Sequence, residues 1–268
     1  MFPSSQLGQL RELAEGVSTG VIALAHNTAG AMGALHPRFA AFDTPYLYRD
    51  VEHLMAAMAS DSPVMQELNA GLIEAAGVRV LYAYYFGTRN LTANRAVTTP
   101  EDLSGVRIRA IPFPIYMAAV EGMGAVPVPV DWAEVPTALA TGVVDGQENP
   151  LNVVVSHNLQ DVQSHLMLTT HITAAQVIII NEDAWQALGE EQQAQVRAAA
   201  EQVHERASAA LLEAEEGDLQ TLRDAGMTAI GPEDGQDVET FRTSVNALAQ
   251  TRFAEQFGTL YEQIDAIR

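Results

Sequence analysis

Residues 78–86, VRVLYAYYF, decide how the rest of the chain is interpreted. Valine and aromatic residues dominate this run, which is typical of a β-strand. Strands that alternate with helices favour an α/β fold with largely parallel sheets. Shorter apolar runs predict further strands at residues 21–25, 106–110, 126–130 and 177–180. Segments with helical spacing separate residues 78–86 from these runs.

A long helical pattern follows the last of these strands. Apolar residues recur at helical spacing from Trp185 to Ala214, and Gly189 is expected to interrupt the pattern near its start. A continuous helix of about 30 residues is about 45 Å long, which exceeds the width of a small lobe. We therefore expect this helix to lie across the molecule, behind two lobes.

The chain has 268 residues, enough for two lobes with separate cores. No linker rich in proline or glycine separates two domains, so the lobes would share the chain. We expect the chain to cross between them near Phe86 and again near Gln176. The predicted first lobe comprises residues 1–86 and 175–214, and the predicted second lobe comprises residues 87–174 and 215–268.

The charge balance excludes several classes of partner. The chain carries 34 acidic residues against 14 basic ones, all of them arginine, and its net charge is -20. This balance argues against nucleic acid, whose phosphates require basic residues, and against anionic lipid. No apolar run approaches the roughly 20 residues that span a bilayer, so direct membrane insertion is not expected. The absence of cysteine excludes disulfides, thiolate metal sites and cysteine nucleophiles.

The common catalytic and cofactor-binding signatures are missing from the sequence. It contains no GxxxxGK[ST], no GxSxG, no HExxH and no GxGxxG after a strand. His157, His165 and His171 lack metal-ligand spacing, and we interpret them as surface or packing residues. The acidic pairs lie mostly on helix faces that should be solvated, and they indicate no general acid with a base. The sequence therefore predicts no catalysis, no metal and no cofactor.

Polar segments stand where several predicted strands end. In open α/β sheets, ligands bind at the carboxyl ends of the strands, so we expect these segments to form a ligand site. The segments are GTR at residues 87–89, VRIRAIP at 106–112, VDWAEV at 130–135 and DGQENP at 145–150.

The string GVVDGQENP at residues 142–150 resembles the signature of the DctP family, the solute-binding proteins of tripartite TRAP-type transporters. Other segments resemble family motifs in the same order over essentially the whole chain. They are FPSSQLG at residues 2–8, PYLYRD at 45–50, DLSGVRIR at 102–109, GAVPVPVDWAEVPTAL at 124–139 and LTTH at 168–171.

The resemblance implies a two-lobed periplasmic-binding-protein-like α/β fold, type II-like, with a long C-terminal helix that spans both lobes. It also implies a function without chemistry. The protein would be a periplasmic receptor that closes around a small organic acid and delivers it to the TRAP membrane subunits. A dicarboxylate, a keto acid or a sugar acid would each suit one strong carboxylate site. A ligand-binding subunit of a sensory system, and an α/β enzyme on the same scaffold, are the alternatives.

The resemblance further implies two arginines in the binding site. Arg109 corresponds to the family arginine that clamps the carboxylate, and its planar guanidinium can donate two parallel charge-assisted bonds. Arg89 corresponds to a second arginine that assists. Both could instead be structural ion-pair partners. Arg107 is two residues from Arg109 on the same predicted strand face, so the two could exchange roles.

Uncharged side chains complete the implied site. Asn149 corresponds to an asparagine that bonds to the ligand, although it could merely cap the following turn. Trp132 stands where the family has an aromatic residue lining the cleft, and core packing is its alternative role. Asn27 and Thr28 lie where the first lobe presents polar contacts. Glu148, like the glutamine before it, is expected to hold the hinge.

The beginning of the chain departs from the family pattern. Family members usually carry an export signal, and then a strand, a helix and a second strand, before the segment that resembles FPSSQLG. Near Met1 there is no basic segment followed by an apolar one. We therefore expect the first lobe to lack its first strand–helix–strand, which would expose a sheet edge. A truncated, non-functional fragment of the receptor is the alternative.

Overall fold

The computed structural model describes residues 2, 3 and 5–267. The strands in chain order are β1 (Leu24–Thr28), β2 (Val78–Ala93), β3 (Arg107–Ala110), β4 (Val126–Pro129), β5 (Gly146–Pro150), β6 (His165–Asn181) and β7 (Thr228–Ile230). The α-helices are α1 (Leu10–Ser18), α2 (Ala29–Met32), α3 (Val51–Met58), α4 (Pro63–Ala76), α5 (Pro114–Gly122), α6 (Val135–Ala140), α7 (Leu151–Ser156), α8 (Glu182–Gln186), α9 (Glu190–Asp224) and α10 (Val238–Asp265).

All seven strands belong to one mixed sheet in the order β1-β6-β2-β5-β3-β4, with β7 also paired to β6. The long strands β2 and β6 are antiparallel to each other, and so are the pairs β1–β6 and β2–β5. Parallel pairing is confined to β3–β4, β3–β5 and β6–β7. The expectation of largely parallel sheets was therefore wrong, because β2 and β6 run the length of the sheet in opposite directions.

Strand β2 continues past Phe86 to Ala93, so residues 87–89 lie inside a strand and not beyond its end. Its pairing with β6 shifts register between Tyr85 and Gly87. Gly87 has a φ of +125°, and a Cβ there would lie 2.6 Å from the Cβ of Pro150. Only glycine fits this backbone conformation and this close approach.

Two other predicted boundaries were also wrong. Residues 145–150 were expected to lie where a strand ends, but Gly146–Pro150 is itself β5 and is buried between β2 and β3. The first strand lies at Leu24–Thr28 and not at residues 21–25, which leaves Val21 exposed. In both cases polar residues lie within the strand itself. They can do so because the strand's opposite face, or the strands on either side of it, provide the apolar contacts.

The long helix and its break at Gly189 are confirmed, with α9 running from Glu190 to Asp224 after the separate short helix α8. Side chains of α9 bond to the backbone of β2 near the register shift. The backbone N–H of Tyr85 donates to Ser208 Oγ at 3.0 Å, and that of Thr88 donates to Glu215 Oε1 at 3.1 Å. The helix also contacts α7, and its expected position behind two lobes stays a prediction.

Buried apolar residues form three clusters. The largest contains Leu54, Leu68 and Val177, while the two smaller ones contain Ile108 and Leu166. Helix α10, which the predicted boundaries assign to the second lobe, contributes residues to the largest cluster. These are Ala249, Phe253, Phe257, Leu260 and Ile264. The lobe boundaries themselves stay a prediction. Within the described part of the chain, no helix combines the length and apolarity needed to cross a membrane.

Candidate ligand-binding cleft

A cavity of about 1190 Å³ opens against one face of β1, β2 and β6, between α1 and α9. Apolar side chains such as Leu81, Ile178 and Val203 form much of its wall. Polar side chains also line the cavity. They include Thr28, Arg89, Arg109, Trp132, Asn149, His157 and Gln176. Of the six residues predicted to bind ligand, the structure thus brings five together around one cavity.

The exception is Asn27, which does not line this cavity. Neighbouring residues on a strand point to opposite faces, so Asn27 and Thr28 of β1 diverge. The Asn27 side-chain amide donates to the carbonyl of Leu10 at 2.8 Å, and its oxygen accepts from the backbone N–H of Thr28 at 2.9 Å. These bonds hold α1 against β1. Thr28 faces the cavity and also caps α2, because its hydroxyl accepts from the N–H of Ala31 at 3.1 Å.

Arg109 is a buried cation without a carboxylate partner among the described residues. It lies in β3 and is 2% exposed. Its Nε donates to the carbonyl of Val130 at 2.8 Å, and its guanidinium carbon lies 5.7 Å from the centre of the Trp132 ring. Burial lowers the pKa of Arg109 to about 10, opposed by the nearby charge of Glu148. The group is still protonated at neutral pH, so it is a positive charge that faces the cavity.

Arg107 does not exchange roles with Arg109. It begins β3, where its side chain is 45% exposed, and it forms an ion pair with Asp145. Its Nη2 lies 2.7 Å from Asp145 Oδ1 and its Nε lies 3.0 Å from Asp145 Oδ2. A surface pair of this kind adds little stability. The two arginines differ because Arg109 is covered by neighbouring elements of the fold, whereas Arg107 is not.

Arg89 also faces the cavity, but its charge is already compensated. Glu148 of β5 accepts from it with both oxygens, one of them 2.9 Å from Arg89 Nη2, and both side chains are almost fully buried. Burial alone would raise the pKa of Glu148, but Arg89 and His171 lower it to about 2. The sequence analysis gave a structural ion pair as an alternative role for Arg89, and the structure shows such a pair with Glu148.

His171 completes this buried ion pair. Its Nε2 donates to Glu148 Oε2 at 3.1 Å, and its Nδ1 accepts from the hydroxyl of Thr169 at 2.9 Å. Burial lowers the pKa of His171, although Glu148 acts in the opposite direction. The residue was interpreted from the sequence as a surface or packing histidine, and it is indeed fully buried. The spacing of the histidines in the sequence did not indicate that His171 donates a hydrogen bond to Glu148.

Asn149 lines the cavity beside Arg89 and does more than cap a turn. Its side-chain oxygen accepts from Arg89 Nη2 at 3.1 Å, and its Nδ2 donates to Gln147 Oε1 at 2.5 Å. Gln147 in turn donates to the hydroxyl of Thr92 at 3.0 Å. An amide nitrogen carries two hydrogens, so one N–H of Asn149 stays available for a ligand. The bond from Gln147 to Thr92 joins β5 to β2, and the expected role of Gln147 and Glu148 in holding the hinge stays a prediction.

Asp43 and Tyr116 lie behind the arginines and were not singled out from the sequence. The hydroxyl of Tyr116 donates to Asp43 Oδ2, which also accepts from the backbone N–H of Gly30 at 2.6 Å. Burial raises the pKa of Asp43. The Tyr116 ring lies 5.8 Å from the guanidinium carbon of Arg89. These residues link α5 and α2 to the charged cluster.

Trp132 lines the cavity with His157, another residue that the sequence analysis did not assign to the site. The indole N–H of Trp132 donates to His157 Nε2 at 3.3 Å, and the two rings meet edge to face with centroids 4.7 Å apart. Among the described residues, no cluster of histidine, aspartate and glutamate could hold a metal ion. The cavity therefore offers charge, hydrogen bonds and apolar surface for binding a small anion.

A two-lobed α/β fold with such a cavity is that of a solute-binding protein. The chain belongs to the DctP family, described as bacterial extracellular solute-binding protein, family 7, whose model matches residues 1–256. Members of this family are periplasmic receptors that bind solutes for TRAP transport and are not enzymes.

Comparisons with individual relatives agree with this assignment. The chain is 38% identical over 203 residues to the 2,3-diketo-L-gulonate-binding periplasmic protein YiaO of Escherichia coli, covering 75% of this chain and 61% of that protein. A structure of a Roseobacter denitrificans TRAP solute-binding protein with bound L-galactonate matches with a TM-score of 0.90 and 29% identity, covering 99% of this chain and 86% of the other. A Polaromonas protein bound to D-erythronate matches with a TM-score of 0.87 and 32% identity, covering 99% and 85%.

Proposed function

We propose that this receptor binds a small organic acid in the cavity and that the acid's carboxylate pairs with Arg109. The observation that carries the proposal is the state of Arg109. A buried charge without a partner is costly to a folded protein, and a carboxylate ligand would remove that cost. The planar guanidinium keeps both Nη groups for the ligand, because only its Nε is bonded to the protein.

The remaining predicted residues would act around this ion pair. Asn149 has a spare N–H and Trp132 covers the guanidinium of Arg109, so both are proposed to contact the ligand. Arg89 is proposed to contribute a hydrogen bond to the ligand but no net positive charge, since Glu148 neutralises its guanidinium. Thr28 would contact the ligand from β1.

The ligands named for the relatives support an acid as the solute. Diketogulonate, galactonate and erythronate all carry a carboxylate, and the proteins that bind them are similar to this chain along most of its length. We further propose that the closed receptor delivers its acid to TRAP membrane subunits. Closure would bend the molecule where the chain is predicted to cross between the lobes, near Phe86 and Gln176. The first crossing lies at the register shift of β2 between Tyr85 and Gly87.

Calorimetry with the purified protein tests the proposal. We expect binding of at least one acid from a panel of L-galactonate, D-erythronate, succinate and pyruvate. Arg109→Met should weaken that binding by about 100-fold or more, because it removes the charged partner of a desolvated pair. Arg107→Met is the matched control, since Arg107 lies two residues away on the same strand and outside the cavity, and it should leave affinity unchanged. Equal affinity in wild type and Arg109→Met would contradict the proposal.

A further inference from the structure

One carboxylate of the long helix α9 bonds to β2 on both sides of a register shift. The hydroxyl of Tyr85 and the backbone N–H of Thr88 both donate to Glu215 Oε1, the latter at 3.1 Å. The hydroxyls of Tyr85 and Thr88 also lie 2.9 Å apart. The pairing of β2 with β6 shifts between Tyr85 and Gly87, inside the segment that these bonds enclose. Glu215 thus fastens the irregular part of the strand to the helix.

Side chains of α9 serve as hydrogen-bond partners of β2 along one edge of the strand. Strand β5 pairs with β2 only from Arg89 onward, so the preceding residues of β2 depend on other partners on that side. The backbone N–H of Tyr85 donates to Ser208 Oγ at 3.0 Å. Ser208 and Glu215 lie two helical turns apart on α9, so they share one face of the helix. The bond from Thr88 to Glu215 extends this row of bonds past the register shift.

The segment that Glu215 holds leads directly into the candidate site. Thr88 precedes Arg89, whose side chain lines the cavity and pairs with the buried Glu148. A displacement of Thr88 would be passed on to Arg89, because consecutive residues are joined by a rigid peptide unit. Glu215 itself lies outside the cavity lining, so it would influence a bound acid only through the strand.

The bonds of Glu215 favour one geometry of the predicted hinge. The chain is predicted to cross between the lobes at this part of β2, so closure would bend the strand between Tyr85 and Thr88. Two donors that share one acceptor oxygen cannot move far apart without the loss of a hydrogen bond, which weakens steeply with distance and angle. In this geometry Thr28 of the predicted first lobe and Arg109 of the predicted second lobe line the same cavity. Glu215 therefore stabilises the geometry in which both lobes can contact an acid.

We infer that Glu215 is a positioning residue that holds this segment of β2 in the binding geometry and thereby raises the affinity of the receptor for its acid. This inference rests on the proposed function. When only a fraction of the molecules has the binding geometry, the apparent dissociation constant increases in proportion to the inverse of that fraction. Loss of the bonds to Tyr85 and Thr88 would lower the fraction, although every side chain of the cavity lining would remain.

Calorimetry with L-galactonate, D-erythronate, succinate and pyruvate compares wild type with Glu215→Leu, Glu215→Gln and Glu213→Leu. Glu215→Leu removes the acceptor and should weaken the binding of each acid that wild type binds by about tenfold. Glu215→Gln keeps a side-chain oxygen for both donors, so its affinity should stay within about threefold of wild type. Glu213 is exposed on the same helix, so Glu213→Leu is the control and should leave affinity unchanged.

A distance measurement separates a positioning role from a loss of stability. The chain has no cysteine, so cysteines introduced at the exposed Glu74 and Glu101 would carry one spin label on each predicted lobe. Without acid, Glu215→Leu should broaden the distribution of distances between the two labels, and saturating acid should restore it. A variant that is merely less stable would unfold at a lower temperature but keep the distance distribution of wild type.

Unchanged affinity, or an unchanged distance distribution, in Glu215→Leu would overturn the inference. If acid binding depends on Arg109 but not on Glu215, the proposed function stands and the inference alone fails. If the wild type binds none of the acids tested, both fail.

Discussion

Two buried arginines face the same cavity in opposite states of compensation. Arg89 shares its charge with Glu148, which also accepts from His171, so this cluster is complete without a ligand. Arg109 is bonded to the protein only through its Nε, and its charge has no carboxylate partner among the described residues. The difference teaches that burial and position cannot by themselves identify a ligand-binding arginine. What identifies such an arginine is the absence of a carboxylate partner within the protein.

The two regions also differ in where their strands lie. Arg89, Glu148 and His171 come from β2, β5 and β6, which are neighbours in the sheet. Their ion pair and hydrogen bonds join three strands near the register shifts of β2. Arg109 comes from β3, which neighbours β5 on the side away from β2. We interpret the first cluster as a structural joint and Arg109 as the ligand's anchor.

Removing the counter-ion of Arg89 should have the largest effect. Glu148→Gln leaves a buried guanidinium without its partner, and breaking a buried pair in this way costs about 3–5 kcal/mol. Urea unfolding should show this loss directly. Glu239→Gln removes the carboxylate of an exposed pair with Arg242, and it should change stability by less than about 1 kcal/mol. Equal unfolding midpoints for Glu148→Gln and wild type would end the distinction between the two arginines.

The same cluster predicts how stability depends on pH. The pKa of Glu148 is about 2 in the folded protein and lies below its ordinary value of 4.5. A depressed carboxyl pKa contributes stability above pH 4.5, and this contribution is lost as the pH falls from about 4.5 to about 2. It amounts to roughly 3 kcal/mol for a shift of this size. Urea midpoints measured between pH 6 and pH 3 should fall more steeply for wild type than for Glu148→Gln. Parallel profiles would contradict the assignment.

Changing the cover of Arg109 should have the smallest effect. The Trp132 ring lies over the guanidinium, and a partly exposed cation–π contact is worth about 0.5–1 kcal/mol. Trp132→Leu should therefore weaken acid binding two- to fivefold (about 0.5–1 kcal/mol). Trp132→Phe keeps an aromatic face and should retain most of the affinity. Calorimetry that finds both variants equally weak would assign the effect to the lost hydrogen bond with His157 instead.

Much of the fold was predictable from local patterns. The long helix, its break at Gly189 and the α/β class follow from helical spacing and apolar runs, and the structure has all three. Strand continuity was not predictable in the same way. Polar residues interrupt the apolar pattern of β2 after Phe86 and fill β5, since these stretches are buried by neighbouring strands that the local sequence does not reveal.

The candidate site shows the same limit. Arg109, Asn149 and Trp132 were found through the resemblance, and they do meet at one cavity. Asn27 was misplaced because the first strand begins three residues later than predicted, and alternation along a strand turns neighbouring residues to opposite faces. From the sequence, Gln176 was named only as the place where the chain crosses between the predicted lobes. Its place in the cavity lining is a property of packing that no local pattern encodes.

The antiparallel pairing of β2 with β6 has a consequence for folding kinetics. Val78 pairs with Asn181 and Leu24 pairs with Ile180, so residues distant in the chain must meet before the sheet is complete. Contacts of such large sequence separation slow folding, because the entropy of closing long loops is lost before the pairing is gained. The N-terminal half of the chain therefore cannot complete its sheet during synthesis until β6 has emerged. Half-chains expressed separately should remain unfolded until they are combined.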